Sequence, residues 1–436
     1  MSHMWSLGDA LAWLDRHDNL ELAPVGAAPT LDRMQALVEA LGSPHAAVPV
    51  IHVTGTNGKG STCAMIAALL KSAGLRVGVY SSPHLSSPLE RIVIDGEPVA
   101  ERDFIDALYS VALAEEHQVG PVLWFEAMTA AAYRVFADDP VHVAVIEVGM
   151  GGRWDATNVA TGDVAVICSV GLDHIEYLGD TREAIAAEKS GIIKADSAVV
   201  VAEMDPEVRR VIERCAHQAG AREVLFRPDD FDVEGNELAV GGRLLDLHTP
   251  RSDFNEVFVS LHGRFQGANA AAAVVAVEAF VGSALDPEVV AEALGTVRLA
   301  GRAEVLAREP VVLADVAHNP AGASALGELI EETFPEFERP VLVVGMLAPR
   351  DPRAFLEALG VDERWTVIAP DVASPRAIPA DEVVRGAQSL GATAQRIDDL
   401  DDALDDARDL AGTSGLVVIT GSFRVVGPAR ELLRGH

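Results

Sequence analysis

One short segment of this 436-residue chain combines glycines, a lysine and hydroxyl side chains in a pattern typical of phosphate binding. The segment consists of Gly55, Thr56, Asn57, Gly58, Lys59, Gly60, Ser61 and Thr62, and it follows the apolar run VPVIHV. Glycines let main-chain amides approach an anion, the N-terminus of the next helix is positive, and a lysine adds charge. Gly60 separates Lys59 from Ser61, which departs from the general P-loop pattern. We predict a nucleotide-phosphate site here, with a turn that serves only packing as the alternative.

Candidate ligands for a magnesium ion follow other apolar runs. Mg²⁺ requires hard oxygen donors, and Ser61 offers a hydroxyl beside the predicted phosphate site. Glu147 ends the run VHVAVIEVG, at the carboxyl edge of a sheet where ligands bind in α/β folds. Asp173 and His174 follow another run, DVAVICSV. The alternatives are that Glu147 caps a turn and that His174 is structural or solvated.

The elements that must position these residues alternate between apolar runs and helical periodicity, as in parallel α/β folds. Helices are predicted over 31–42, 61–74, 125–137 and 265–281, and buried strands over 142–149, 163–170 and 197–204. Residues 223–262 are rich in turn signals, which predicts short antiparallel strands. A second alternating series begins near residue 302, after a hinge at 296–301. We predict an α/β protein with an N-terminal P-loop domain (1–296), whose mostly parallel sheet carries a small antiparallel subdomain, and a smaller Rossmann-like C-terminal domain (302–436).

The composition narrows the possible partners and the compartment. The 66 acidic and 34 basic residues give a formal net charge of −32, which argues against nucleic acid as a general partner. No apolar run approaches the roughly 18 residues of a membrane span, and the N-terminus has no secretory pattern, so we expect a cytoplasmic protein. The three cysteines are far apart and have no metal-ligand spacing, which is typical of reduced structural thiols.

Eight ordered segments resemble folylpolyglutamate synthase and dihydrofolate synthase, the folate branch of the Mur ligase superfamily. The resemblance covers nearly the whole chain and rests on HVTGTNGKGST, SSPHLSSPLERI, EVGMGGRWDATNV, GLDHIEYLG, EKSGIIK, GRFQGANAAAA, GRAEVL and DVAHNPAGASAL. It implies a monomeric ATP-dependent amide ligase, which we expect to be bifunctional and to act on dihydropteroate or folates and on L-glutamate. ATP would phosphorylate the pterin substrate's carboxylate, and the glutamate amine would then attack the acyl phosphate.

The resemblance also implies roles for individual residues. Lys59 and Ser61 would serve the phosphates and the first Mg²⁺, which Glu147 and His174 would also bind. Lys189 would be carbamylated and would bind a second Mg²⁺; the alternative is a cation at a helix C-terminus. The other implied residues are Asn269, Arg302 and Asp315 for the nucleotide, His318 with Lys59 and Lys189 for catalysis, Ser82, His84 and Arg91 for the folate, and Ser422 and Arg424 for glutamate. The chain departs from the family pattern at Val316 and Pro349.

Two other functions remain open from the sequence. A Mur ligase that extends a UDP-muramoyl peptide would use the same phosphate chemistry, but it normally carries a UDP-binding domain ahead of the phosphate loop. Only 54 residues precede Gly55, fewer than a domain of ordinary size. A non-catalytic ATP-binding module would have a damaged site, whereas Lys59, Glu147, His174 and Lys189 are all present.

Overall fold

The computed structural model describes residues 5–19, 30–337 and 339–435, and the chain forms two compact units. The first unit contains the described residues of Met1–Glu237 together with Leu244–Val259 and Gln266–Val297. The second contains Leu238–Arg243, Ser260–Phe265 and the described residues from Arg298 onward. The chain therefore enters the second unit for the last time between Val297 and Arg298.

An eight-stranded sheet organises the first unit, with the strand order β4-β3-β2-β5-β1-β6-β7-β8. Neighbouring strands from β2 to β8 are parallel, whereas β3 and β4 are antiparallel at one edge. The central strands are buried on both faces, which explains their continuous apolar sequences. In chain order the strands are β1 Val50–Thr54, β2 Val77–Tyr80, β3 Ile92–Ile94, β4 Glu97–Pro98, β5 Val143–Glu147, β6 Val164–Ile167, β7 Ala198–Val201 and β8 Glu223–Phe226.

Helices connect these strands and cover the sheet. Helix α8 begins at Pro206 behind the capping carboxylate of Asp205, which accepts main-chain N–H groups of the first turn. Helix α9 is buried on nearly all sides, which its alanines permit because they leave room for close packing. The helices are α1 Leu7–Leu14, α2 Leu31–Ala40, α3 Lys59–Ser72, α4 Glu101–Ala114, α5 Trp124–Asp138, α6 Ile175–Leu178, α7 Arg182–Lys189, α8 Pro206–Ala219, α9 Phe265–Val281 and α10 Pro287–Thr296.

A separate three-stranded sheet has the order β11-β10-β9, with the strands β9 Asp232–Ala239, β10 Gly242–His248 and β11 Asp253–Val259. Only two residues join β9 to β10, a connection that antiparallel neighbours allow and parallel strands do not. The prediction of antiparallel strands over 223–262 is wrong for its first part. Glu223–Phe226 is a parallel strand of the main sheet, because helix α8 returns the chain to the sheet in the direction of β7.

A six-stranded sheet organises the second unit, with the order β12-β13-β17-β14-β15-β16. Strand β12 is antiparallel at one edge and the others are parallel, which confirms a second α/β sheet and with it the predicted fold class. The strands are β12 Glu304–Arg308, β13 Val311–Ala314, β14 Val341–Val344, β15 Thr366–Ala369, β16 Thr393–Arg396 and β17 Leu416–Thr420. The helices are α11 Pro320–Thr333, α12 Pro352–Leu359, α13 Ala380–Ser389, α14 Leu400–Ala411 and α15 Phe423–Gly435.

Each unit has its own apolar core between sheet and helices. In the first unit, residues of α4 and α5 pack on one group of strands, and residues of α7 and α8 pack on another. None of the helices in the described residues has both the length and the apolar character needed to cross a membrane.

Candidate active site

The predicted phosphate-binding loop, residues 55–58 and called the phosphate loop below, leaves the carboxyl end of β1 and ends where α3 begins. Gly58 precedes the helix with φ +90°, a conformation that favours glycine. A Cβ atom at this position would lie 2.6 Å from Oδ1 of Asn269, so a side chain would also collide with its neighbour. The first amides of α3 have no partner within the helix, and its N-terminus carries a partial positive charge. The geometry is that of an anion site.

Hydrogen bonds to the loop after β6 hold the phosphate loop in place. The Thr56 N–H donates to the carbonyl oxygen of Ser169 at 2.6 Å, and the Gly171 N–H donates to Thr56 Oγ1 at 2.9 Å. The Asn57 N–H donates to Ser169 Oγ at 3.1 Å. Because these bonds lie within the protein, the loop is organised before any ligand binds.

Two lysines share one carbonyl oxygen of this loop. Lys59 Nζ donates to the carbonyl oxygens of Gly55 and Thr56 at 3.1 and 3.3 Å, and Lys189 Nζ donates to that of Gly55 at 2.8 Å. Lys189 ends α7 and is only 4% exposed. Burial, and next the charge of Lys59, lower the pKa of Lys189 from 10.5 to about 7, although Asp173 opposes this shift. A large fraction of the Lys189 amine is therefore uncharged at neutral pH.

Ser61 lies buried in the first turn of α3, beside polar side chains of α9. Gln266 Nε2 lies 3.5 Å from Ser61 Oγ, and Asn269 Nδ2 donates to Gln266 Oε1 at 2.9 Å. The structure thus brings the predicted residues Ser61 and Asn269 to the same place. It adds Gln266, which sequence reasoning missed although it lies in the segment GRFQGANAAAA that carries part of the family resemblance.

Glu147 is buried at the end of β5, directly beside β1 in the sheet. One of its carboxylate oxygens accepts the N–H of Ser82 at 3.1 Å, so the loop after β2 meets it. His174 follows β6 and has φ +51° at the start of α6, with Nε2 4.0 Å from the Asp173 carboxylate. Because β2, β5, β1 and β6 are parallel neighbours in the sheet, the loops that follow them lie at the same edge. The described residues contain no cluster of three or more histidine, cysteine, aspartate or glutamate side chains arranged to hold a metal.

Cys168 lies directly against the phosphate loop, where several charged side chains act on its thiol. Its Sγ lies 3.4 Å from Thr62 Oγ1, so the buried Thr62 hydroxyl has a hydrogen-bond partner. Burial raises the pKa of the Cys168 thiol to about 11, and the charges of Lys59, Glu147 and Lys189 act on the same thiol. Three predicted site residues from three segments of the chain are thus near enough to act electrostatically on the same buried thiol.

The loop after β2 is braced by its own residues and by α5. The Glu90 carboxylate accepts the N–H groups of residues 85–87. Arg91 is fully buried, its Nε donates to His84 Nδ1 at 2.8 Å, and its Cζ lies 4.6 Å from the ring centroid of Trp124. The structure brings the predicted residues His84 and Arg91 together and adds Trp124. That Arg91 binds a substrate carboxylate stays a prediction.

Asp315 follows β13 in the second unit and fixes the main chain around it. Its two oxygens accept the N–H groups of Ala303 and Ala317 at 2.8 and 2.7 Å. Burial raises the pKa of Asp315, and the nearby charge of Arg302 opposes the shift. The structure therefore brings Arg302 and Asp315, both predicted to serve the nucleotide, to one place in this unit.

The remaining predicted residues of the second unit also lie after strand ends. His318 Nδ1 is 3.0 Å from the carbonyl oxygen of Val316. Ser422 follows β17, is buried, and donates its Oγ proton to the carbonyl oxygen of Gly345, which follows the neighbouring strand β14. Arg424 lies in the first turn of α15, and its buried Nε has no hydrogen-bond partner in the part of the chain that the structure describes.

Comparison with known proteins defines the class of this chain. Residues 125–277 match the family model described as Mur ligase middle domain, and residues 301–423 match that of the Mur ligase glutamate ligase domain. Both matches indicate a Mur-type ligase.

Whole-chain relatives are more specific. A dihydrofolate synthase/folylpolyglutamate synthase of Mycobacterium tuberculosis is 38% identical over 93% of this chain and 90% of its own. The Bacillus subtilis protein of that name is 32% identical over 98% and 99%. A solved Mycobacterium tuberculosis folylpolyglutamate synthase complexed with ADP has a TM-score of 0.90, at 36% identity and 98% coverage of both chains. This chain belongs to the dihydrofolate synthase/folylpolyglutamate synthase family.

Proposed function

We propose that this protein uses ATP to join L-glutamate to 7,8-dihydropteroate and, through γ-linked addition, to reduced folates. The observation that carries the proposal is the preorganised phosphate loop with Lys59, beside the buried side chains of Glu147 and Lys189. Relatives support the substrates: one similar structure, 29% identical with a TM-score of 0.86, is described as a bifunctional synthase with Mn, AMPPNP and L-glutamate bound. An Escherichia coli relative, 28% identical with a TM-score of 0.87, is described in complex with DHPP and ADP.

The reaction needs two steps because a carboxylate is a poor electrophile. First, a carboxylate oxygen of the pterin substrate attacks the γ-phosphorus of ATP, which gives an acyl phosphate and releases ADP. The loop amides and Lys59 hold the phosphates during this transfer. Second, the amine of L-glutamate attacks the acyl carbon, phosphate leaves, and the nitrogen loses a proton to give the amide. Because the acyl phosphate is prone to hydrolysis, the site must exclude water.

Magnesium fits the donors of the first unit. The Ser61 hydroxyl and the Glu147 carboxylate are hard oxygen donors, and His174 follows the neighbouring strand β6. In the proposal these three residues hold the first Mg²⁺, which would offset the negative charge of the phosphates.

A second Mg²⁺ requires a change at Lys189, because a protonated amine has no lone pair for a metal. Its uncharged form can attack CO₂: a nitrogen–carbon bond forms, one proton is released, and the product is a carbamate whose single negative charge is shared by two oxygens. The burial of Lys189 and its pKa of about 7 support this step. We propose that carbamylated Lys189 binds the second Mg²⁺.

The rest of the proposal assigns the substrates. Asn269, Arg302 and Asp315 serve the nucleotide, and His318 acts with Lys59 and Lys189 in catalysis. Ser82, His84 and Arg91 serve the folate, and Ser422 and Arg424 the glutamate. This assignment is supported by the family's sequence segments and, for most of these residues, by their position after strand ends or near helix starts; Arg302 lies in the turn before β12. We also propose that the functional domains are residues 1–296 and 302–436 and that the protein works as a cytoplasmic monomer. Light scattering of the purified protein tests the monomer.

The deciding experiment measures phosphate release and product mass in parallel. The enzyme receives ATP, Mg²⁺ and L-glutamate with 7,8-dihydropteroate, with tetrahydrofolate, or with no acceptor. We expect release with both acceptors and a mass gain of one glutamyl unit on each. Release with one acceptor only would reduce the proposal to a single activity. If phosphate is released with a UDP-muramoyl peptide but with neither pterin acceptor, the protein is instead a Mur ligase that extends such a peptide.

Two variants test the assigned lysines. Lys59→Ala should lose nucleotide use generally, whereas Lys189→Ala should lose ligation while it still binds ATP. The carbamate is tested directly by ¹³C NMR of the protein in ¹³C-bicarbonate, where a carbamate signal should be present in the wild type and absent in Lys189→Ala. Full ligation activity in Lys189→Ala would contradict the second metal site.

A further inference from the structure

A strained turn in the second unit carries Arg302. The residues on either side have positive φ angles, +63° at Gly301 and +47° at Ala303. Glycine adopts such angles readily, but alanine does so at a cost in free energy. A non-glycine residue keeps this conformation only where its surroundings enforce it. The main chain that presents Arg302 therefore depends on contacts from outside the turn.

Glu304 supplies one of these contacts and connects the turn to helix α15. Its Oε2 accepts the N–H of Gly301 at 2.8 Å and the Nε proton of Arg430 at 2.6 Å. The side chains of Glu304 and Arg430 are only 18% and 12% exposed, so water screens this ion pair weakly. Arg434 also reaches Glu304, at 3.1 Å, but its side chain is 62% exposed.

Asp315 and its neighbour hold the other side of the same turn. The Asp315 carboxylate accepts the N–H of Ala303, and the Val316 N–H donates to the carbonyl oxygen of Gly301 at 2.9 Å. The turn is thus fixed by two carboxylates: that of Asp315, which follows β13, and that of Glu304 in β12, which Arg430 of α15 contacts. The Asp315 side lies among residues already assigned to the nucleotide, whereas Glu304 and Arg430 have no role in that assignment.

We infer that Glu304 and Arg430 are positioning residues, which hold the turn so that Arg302 meets the nucleotide. This inference rests on the proposed function, because it takes the nucleotide role of Arg302 from there. Glu304 acts through the Gly301 amide, and Arg430 acts by holding the Glu304 carboxylate. Without the pair, the strained turn is held from one side only, and Arg302 loses its fixed direction.

The expected defect is specific for ATP. Glu304→Gln keeps an oxygen that can accept the Gly301 N–H but loses the ion pair with Arg430. We expect it to raise the KM for ATP about tenfold, the effect of one charge-assisted hydrogen bond, and to leave the KM for L-glutamate within about twofold. Arg430→Met should raise the KM for ATP to a similar extent, and Arg430→Lys should restore part of the loss. Arg434→Ala is the matched control, with an effect within about twofold because its contact is exposed.

A double-mutant cycle with Arg302 separates positioning from general stability. If Glu304 acts through Arg302, Glu304→Gln should raise the KM for ATP when Arg302 is present. The same substitution should change the KM for ATP little when Arg302 is already replaced by alanine. The full-length variants are compared in the phosphate-release assay, with thermal unfolding to record their stability. If Glu304→Gln does not fold, Arg430→Met completes the same cycle.

The outcomes distinguish the positioning role of Glu304 and Arg430 from the nucleotide role of Arg302 on which it rests. An equal rise in the KM for ATP in both backgrounds would overturn the positioning inference and leave the nucleotide role of Arg302 intact. An unchanged KM for ATP in Arg302→Ala would overturn that nucleotide role and the inference with it. A fall in melting temperature with no change in any KM would show that the Glu304–Arg430 pair is only structural.

Discussion

Replacing Lys189 by methionine should stabilise the ligand-free protein at neutral pH while it abolishes ligation. Burial, and next the charge of Lys59, lower the pKa of Lys189 from 10.5 to about 7. This shift corresponds to a penalty of roughly 5 kcal/mol on the native state when the amine is charged. Methionine has a similar length and no charge. Loss of the hydrogen bond to Gly55 destabilises the variant by about 1 to 2 kcal/mol. We therefore expect the free energy of unfolding of Lys189→Met to exceed that of the wild type by about 3 kcal/mol.

The sign of the pH dependence follows from the direction of this shift. The pKa is lower in the folded than in the unfolded protein, so the unfolded state binds the proton more tightly. The penalty is complete below about pH 7 and fades as the pH rises towards 10.5. Linkage gives a penalty of about 4 to 5 kcal/mol at pH 6.5 and about 1 to 2 kcal/mol at pH 9.5, before the loss of the hydrogen bond to Gly55 is counted. The advantage of Lys189→Met should therefore nearly vanish at the higher pH.

Urea unfolding of the wild type and of Lys189→Met at these two pH values measures the effect. The buffers are freed of CO₂ and contain no nucleotide or divalent metal, so that the lysine stays unmodified. Lys71→Met removes an exposed lysine of α3 that also donates to a main-chain carbonyl oxygen, that of Asp95 at 2.6 Å, so it is the control for loss of a charge and one hydrogen bond without burial. A stability difference between Lys189→Met and the wild type that is the same at both pH values would refute the reasoning, as would a less stable variant at pH 6.5.

Three further substitutions test the site. Lys59→Ala should weaken binding of a non-hydrolysable ATP analogue about 30- to 100-fold in calorimetry, because a charge-assisted phosphate contact is lost; unchanged affinity would contradict the phosphate role. Gly58→Ala should abolish nucleotide binding, since its Cβ has no room, whereas Gly74→Ala, also at positive φ but in open space, should cost only about 1 kcal/mol of stability. Arg91→Lys should raise the KM for the folate about tenfold and leave that for ATP unchanged; the reverse pattern would move Arg91 out of the folate site.

The sequence predicts the central elements well because their burial dictates their composition. Strands β1, β5, β6 and β7 are continuous apolar runs, and α9 is marked by its alanines. Strand β16 was missed because Thr393–Arg396 lies at a sheet edge, is mostly exposed and has no apolar run. The parallel direction of Glu223–Phe226 was also missed, since it follows from the crossover helix α8 and not from local residues.

Some residues of the candidate site can likewise be predicted from the local sequence, whereas others depend on contacts between distant parts of the chain. The loop glycines, Lys59 and Glu147 are recognisable because they lie at or shortly after the end of a buried strand. The burial of Lys189 cannot be read from its own helix. It arises because Lys189 contacts Gly55, which lies more than a hundred positions away in the chain. The contact of Gln266 with Ser61 spans a still longer distance along the chain. Only the resemblance to a known family pointed to Lys189, and nothing in the local sequence singled out Gln266.

The carbonyl oxygen of Gly55 connects phosphate binding to the chemistry proposed for Lys189. It accepts hydrogen bonds from both Lys59 and Lys189, so the two amines lie close together. Two ammonium groups at this distance repel each other, which is why the charge of Lys59 lowers the pKa of Lys189. Addition of CO₂ would change the charge of Lys189 from positive to negative and turn the repulsion into attraction. The charge of Lys59 therefore favours the uncharged amine before the reaction and would stabilise the carbamate afterwards, so the side chain proposed to bind phosphate would also favour formation of the proposed metal ligand.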